Sequence, residues 1–295
     1  MFAGAVDRAA IVARVEAHPI EGDAHSMRAA FHALATDGAP VPEALDGMAV
    51  RVDVAGAVLE PDGATGAPVL WLHGGGYGFG APETHLRPAA RLAAQAGRRV
   101  VLPRYRLAPE HRWPAQRDDA MTAVEALGTV PVLAGDSAGG HLALVLALRL
   151  ARAGTPPPAL LLFSPNTDRS GLNRARAATS AIDPMVDDAG DTALARAAFG
   201  DFDPADPEVS PLLDDLSLLP PTWIEVGRPE VLEGDAVLLA ERAAAAGADV
   251  TLHVAEGLLH MGQLWAPWWD EGCASLDRAA AFLRGRTGDA VPRTP

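Results

Sequence analysis

Ser137 stands in "LAGDSAGGHLAL", with Gly135 two residues before it and Gly139 two after, where a short apolar run gives way to a Leu/Ala-rich stretch with helical composition. G-x-S-x-G on a strand-to-helix turn is the spacing a nucleophile elbow requires. The glycines make room for a strained backbone, and a helix starting near Ala138 points its free N–H groups at a substrate. With 29 Gly and 8 Ser in 295 residues the pattern arises by chance roughly 0.08 times per chain, so alone it also suits an ordinary glycine-rich turn.

Upstream, His73-Gly74-Gly75-Gly76 follows the run "PVLWL", a pattern expected by chance roughly 0.008 times. Acyl transfer puts negative charge on a carbonyl oxygen, and backbone N–H groups preset around that oxygen stabilise it most in the transition state. Gly74 and Gly75, with the N–H of Ala138, are the expected donors. His73 reads as a structural residue that orients the loop, because it precedes Ser137 where the order serine, acid, histidine is expected. The general base should therefore follow the last strand. Of nine histidines, His253 lies inside that strand and His260, in "AEGLLHMG", lies just beyond it, so His260 is the candidate.

Positioning these residues takes a sheet. Apolar runs predict strands at 48–54, 68–74, 99–103, 130–135, 159–164, 222–227 and 249–254, with helices at about 84–97, 114–127, 138–153, 235–246 and 268–284. The alternation argues an α/β fold, a mostly parallel sheet covered by helices, in a single domain over 1–295. Residues 1–45, read as amphipathic helix, and about 168–210, long and acidic, fall outside this rhythm. Both are candidate lids, or else surface decoration. The tail "GRTGDAVPRTP" is expected to fray.

A net charge of −14 disfavours nucleic acid and polyanionic substrates and suits small neutral or cationic ligands. The single Cys273 excludes an intramolecular disulfide and a cysteine metal cluster. Asp7, Arg8, Arg14 and Glu16 interrupt what would have to be the apolar core of a signal peptide, and no run is long and apolar enough to span a membrane, so a cytoplasmic location is the expectation. A homodimer is compatible with the sequence.

The chain resembles the hormone-sensitive-lipase-like branch of the α/β-hydrolases, the bacterial carboxylesterases with HGGG and GDSAG. Beyond those motifs the likeness runs through "YRLAPEHRWPAQRDD" (105–119), "FSPNTD" (163–168), "DPMV" (183–186), "DPEVSPLLDDLSLLPPTWIEVG" (206–227) and "GLLHM" (257–261), from roughly residue 20 to 285. The resemblance implies an α/β-hydrolase fold with an eight-stranded sheet, and a helical cap from about 1–45 and the insertion at about 168–210. It also implies an aspartate separated by one residue from the "VG" that closes a strand. Here that segment is Gly227-Arg228-Pro229-Glu230, and Pro229 occupies the acid's position. Glu230 has an extra methylene but its Cα is displaced by about 3.8 Å. Asp168 is a second option, and an absent acid a third. Glu233 and Asp235 are read as first-turn residues of the next helix, where acids complement the helix dipole.

The expectation is a serine hydrolase that cleaves small carboxylic esters through an acyl-enzyme, needing no cofactor and no metal, and weakened if nothing replaces the acid. Two rivals stand beside it: an acyltransferase or lactone-forming enzyme on the same fold, and a noncatalytic binder such as the plant gibberellin receptors are within this family.

Overall fold

The runs "VLWL", "VLAG" and "LLLF" carry no charged residue, as strands covered on both faces require. In the structure, a computed structural model that describes residues 4–37, 44–45 and 47–287, they form the sheet's centre. In chain order the elements are α1 (Arg8–Glu16), α2 (Ala24–Thr36), β1 (Ala44–Leu45), β2 (Met48–Asp53), β3 (Gly56–Leu59), β4 (Val69–Leu72), α3 (Leu86–Ala96), β5 (Val100–Pro103), α4 (Ala115–Ala126), β6 (Val132–Asp136), α5 (Ala138–Arg152), β7 (Leu160–Phe163), α6 (Arg176–Thr179), α7 (Asp188–Phe199), β8 (Thr222–Arg228), α8 (Glu233–Ala245), β9 (Val250–Glu256) and α9 (Asp270–Thr287).

The sheet order is β1-β2-β3-β5-β4-β6-β7-β8-β9, antiparallel from β1 to β5 and parallel from β5 onward. Eight strands are thus joined by a two-residue edge pairing, Ala44–Leu45 against β2. All seven strands expected from the apolar runs are present. The addition is β3, joined to β2 by the two-residue turn Val54-Ala55, where Asp53 Oδ1 accepts from the Ala55 N–H at 2.8 Å. Neither turn residue is the glycine or asparagine that usually marks a hairpin.

Two apolar layers sandwich the sheet. One holds α4, α5 and α8, and the other α3 and α9. Leu142, Leu144, Leu146 and Leu148 of α5 are fully buried, each contributing roughly 1.5–3 kcal/mol relative to exposure. That rigid helix fixes the residue that precedes it, Ser137.

The N-terminal segment forms two helices, not one. Each starts on an aspartate cap, Asp7 accepting from the Ala10 N–H at 2.9 Å and Asp23 from Ser26 at 2.8 Å. Ile11, Phe31 and Leu34 pack against Leu258, Leu259, Met261 and Trp265, in the loop after β9. Residues 1–3 and 38–43 of the expected lid, and the tail from 288, lie outside the described residues.

The segment between β7 and β8 carries α6 and α7 and is tied down by ion pairs centred on the buried Arg176. Arg176 pairs with Asp188 at 2.7 Å, with Asp235 at 3.0 Å and with Asp191, which also pairs with Arg169.

Candidate active site

Ser137 sits at φ 52° and ψ −121°, a backbone region that costs a non-glycine residue on the order of 1–3 kcal/mol and persists only where surroundings enforce it. The enforcement is visible. The Ser137 N–H extends the ladder to Phe163 O at 2.9 Å, and its carbonyl accepts from His141 and Asn166. A Cβ on Gly135 would overlap the Gly139 carbonyl, and one on Gly139 would overlap the Leu72 carbonyl, so both glycines are required by close backbone approach.

Asp136, between Gly135 and Ser137, accepts from Trp71 Nε1 at 2.8 Å, His85 Nε2 at 3.1 Å and the Gly74 N–H at 3.1 Å. Burial alone would raise its pKa. His85 and these donors outweigh that and hold it below the usual aspartate value. Gly74, expected as an oxyanion donor, is therefore a correction: its N–H is committed to Asp136.

The N–H groups left over belong to Gly75, Gly76 and Ala138, none of which has an acceptor among the described residues. A trans peptide points its C=O and the next N–H in opposite directions, so what holds each carbonyl aims each donor. The Gly74 carbonyl lies 2.9 Å from His73 Nδ1, which sets the Gly75 N–H. The Gly75 carbonyl accepts from Gly78 and Phe79, both at 3.0 Å, which sets the Gly76 N–H. Ala138 opens α5, where the first N–H groups have no intrahelical partner.

His73 acts as the structural residue its position suggests. Burial, reinforced by His85, lowers its pKa to about 3, so the ring is neutral, and since it faces a carbonyl its Nδ1 carries the proton. Tyr105 stacks on it at 4.2 Å and donates to the His73 carbonyl at 2.6 Å.

His260 lies in the loop after β9, with Nδ1 3.7 Å from Glu230 Oε2, both side chains buried. Burial alone would lower its pKa. The Glu230 carboxylate, with Asp183 and Asp136 behind it, outweighs burial and raises it. Burial raises Glu230 in turn.

The other acids are committed elsewhere. Asp168 accepts from Ser170 and Asn173 in its own loop. Asp235 does begin α8, but it is buried, accepting from the Thr167 and Asp168 N–H groups and pairing with Arg176. Glu233 pairs with Arg228 at the surface.

Ser137 and His260 line one cavity of about 340 Å³, together with Gly75, Gly76, Met185 and Leu194. Phe31 of α2 and Ala197 of α7 reach the same cavity from the two off-rhythm segments. A larger hollow of about 480 Å³, lined by Arg28, His32, Arg104 and His111 among others, reaches neither Ser137 nor His260.

Sequence reasoning missed Gly76, Asp136 and Asp183. Asp183 accepts from Met185, Val186 and the Val231 N–H beside Glu230, at 2.8, 3.1 and 2.9 Å. The only sequence signal for Asp183 is its place in "DPMV".

A family model described as α/β hydrolase fold matches residues 69–264. An acetyl-hydrolase from Streptomyces hygroscopicus is 35% identical over 240 residues, 79% of this chain and 80% of that protein. An esterase from Acinetobacter venetianus is 32% identical over 222 residues, 72% and 73% of the two chains. Among solved structures, an esterase from the bacterial hormone-sensitive lipase family is similar with a TM-score of 0.86 at 31% identity, over 95% of this chain and 97% of that one.

Proposed function

The chain belongs to the α/β-hydrolase fold family, on its hormone-sensitive-lipase-like side, and is an ester-hydrolysing enzyme; we propose that it works through an acyl-enzyme on Ser137, with His260 as general base and Glu230 as the acid that orients it. The observation that carries this reading is the cavity shared by a serine on a strained turn, a buried histidine, Gly75 and Gly76, with the Ala138 N–H following Ser137; these three N–H groups have no acceptor among the described residues.

In this scheme Ser137 Oγ attacks the ester carbonyl carbon while His260 Nε2 takes its proton. The carbonyl oxygen becomes an oxyanion held by the three N–H groups. Collapse breaks the bond to the alcohol oxygen, which leaves with the proton from His260. Water, deprotonated by the same imidazole, then releases the carboxylic acid and restores Ser137.

Glu230 stabilises the imidazolium formed in each half and holds the Nδ1–H tautomer. Glu230 Oε2 at 3.7 Å from His260 Nδ1 supports this reading over a noncatalytic binder, whose premise is an empty acid position. The cavity volume and the apolar side chains of Phe31, Phe79, Met185, Leu194 and Met261 support small carboxylic esters as substrates, and Asp187 and Asp191 in the lining disfavour an acidic one. We read α1–α2 and α6–α7 as a cap over this cavity, completing the single domain.

A fluorophosphonate followed by intact-mass spectrometry tests the reading. One adduct located at Ser137 and lost in Ser137→Ala is the expected result; labelling elsewhere, or none over hours at neutral pH, rejects it.

A further inference from the structure

Arg28 lies on α2, away from the cavity lining, yet it reaches the loop that supplies the donors. Its Nε donates to the Gly78 carbonyl at 2.9 Å, its Nη2 to the Ala108 carbonyl at 2.9 Å, and the guanidinium pairs with Glu110. Gly78 C=O and Phe79 N–H belong to one peptide unit, and the Phe79 N–H donates to the Gly75 carbonyl at 3.0 Å. Gly75 C=O and Gly76 N–H form the next unit, and that N–H has no acceptor among the described residues and lies on the cavity wall.

The guanidinium, two peptide units and the Gly76 N–H therefore form one head-to-tail hydrogen-bonded chain, with a permanent positive charge at one end and the cavity at the other. From this we infer that Arg28 is a positioning residue for the oxyanion site, fixing and polarising the Gly76 donor through the 78–79 and 75–76 peptides.

The physical case has two parts. Each bond in such a chain polarises the next, and cooperative strengthening is of order 10–30% per bond. A cation at the start adds to it in the direction that strengthens Gly76 as a donor. In addition, the link to Ala108 holds the loop against the segment after β5, where the Ala108 N–H in turn donates to Tyr77 O at 2.9 Å. Loss of the clamp would let the 75–79 turn relax without removing any group from the cavity. The Glu110 carboxylate is half-exposed, and the ion pair contributes little by itself.

This inference rests on the oxyanion reading above, so the experiment separates the two. The full-length protein and its Arg28→Ala, Arg28→Lys and Glu110→Gln variants are compared on a short p-nitrophenyl ester. In parallel, a trifluoromethyl ketone, which forms a tetrahedral oxyanion adduct with an active serine, is measured as an inhibitor.

Deleting a direct oxyanion donor costs about 10²–10³ in kcat, and an indirect one should cost less. Arg28→Ala is expected to lower kcat roughly 10-fold with KM within about threefold, and to weaken the ketone by the same factor as kcat. Arg28→Lys, with the charge but not the fork, should fall between, and Glu110→Gln should stay within about twofold of the parent.

A parent protein without ester turnover overturns the functional reading and this inference with it. An active parent with a folded Arg28→Ala of unchanged kcat and ketone affinity overturns the inference alone, as does a Glu110→Gln that reproduces the alanine loss. Should Arg28→Ala not fold by circular dichroism, Arg28→Lys decides, and an unchanged ketone affinity there rejects the role.

Discussion

Glu230 Oε2 and His260 Nδ1 face each other across 3.7 Å, both buried, and neither atom has a hydrogen-bond partner among the described residues. A normal N–H···O bond is about 0.7 Å shorter. Serine hydrolases without substrate often show such slack, which closes in the reacting complex. The buried Ser164 hydroxyl neighbours Glu230 and, among the described residues, also has no hydrogen-bond partner. Glutamate, longer than aspartate by one methylene, supplies the reach that its displaced Cα takes away.

Glu230→Gln puts an amide donor opposite Nδ1 and favours the wrong tautomer, so kcat for a short ester should fall by roughly 10³ or more. The pH profile gives an independent reading. His260 must be neutral to act as base, and its pKa is raised above 6.5, so activity in the parent is lost as pH falls through a value above 6.5. Without the Glu230 charge, burial loses its main opponent and the acidic limb of kcat/KM should move to lower pH. Asp183 and Asp136 remain and limit that movement. An unmoved limb would mean that another group sets it.

His141 offers a stability test. Burial, reinforced by Arg169, lowers its pKa to about 3, and its Nδ1 lies 2.6 Å from Tyr77 Oη. A depressed folded pKa means that the unfolded chain takes up the proton first. The stability from keeping this histidine neutral is complete above about pH 6.5 and falls as pH drops toward 3, by roughly 1.4 kcal/mol per unit. His73 behaves alike. His141→Phe, among Tyr77, Trp113 and Phe199, should flatten the pH dependence of urea unfolding by about one proton between pH 6 and 4. The unpaired Tyr77 hydroxyl costs stability at every pH in that range and leaves the slope alone.

The sheet was legible because period is a local property, and the motifs that singled out Ser137 and His260 are local too; the structure brings the two to one cavity. β3 was not legible, since four residues without a marked turn carry little pattern. Gly74 was misassigned for a different reason. Four residues, HGGG, do not say which N–H is free, and that is settled by Asp136, 62 residues away. Arg28 had no motif at all, because its carbonyl partners lie 50 and 80 residues along the chain. For Glu230, spacing already favoured it over Asp168, and what only the folded loop after β8 adds is its carboxylate 3.7 Å from His260 Nδ1.

Phe31 tests the cap. It is buried on α2, 5.0 Å from the Phe79 ring, and lines the cavity. Phe31→Ala should destabilise the fold by about 3–5 kcal/mol and open the apolar wall. Turnover should shift from acetate toward hexanoate esters by more than tenfold in relative kcat/KM, with the sheet intact by circular dichroism. A stability loss without any change in chain-length preference would make α2 a support for the His260 loop and not a wall of the substrate site.

Pro229 gives the last test, because it holds the position where the resemblance places an aspartate. Gly227, two residues before it, packs so closely on the Leu258 carbonyl that a Cβ there would overlap it, which pins the start of this loop against the His260 loop. Glu230 then fills the space beside Nδ1. An aspartate at 229 in the parent would add a second carboxylate to an occupied site, so Pro229→Asp should change turnover by no more than about threefold. In the Glu230→Gln background the space is open to it, and the double variant should recover at least about tenfold over the single one if position 229 can reach Nδ1. Proline fixes φ, so folding is checked first by circular dichroism. If Pro229→Asp alone raises turnover tenfold while Glu230→Gln lowers it by less than tenfold, the buried glutamate is a bystander and the acid role is vacant in this enzyme.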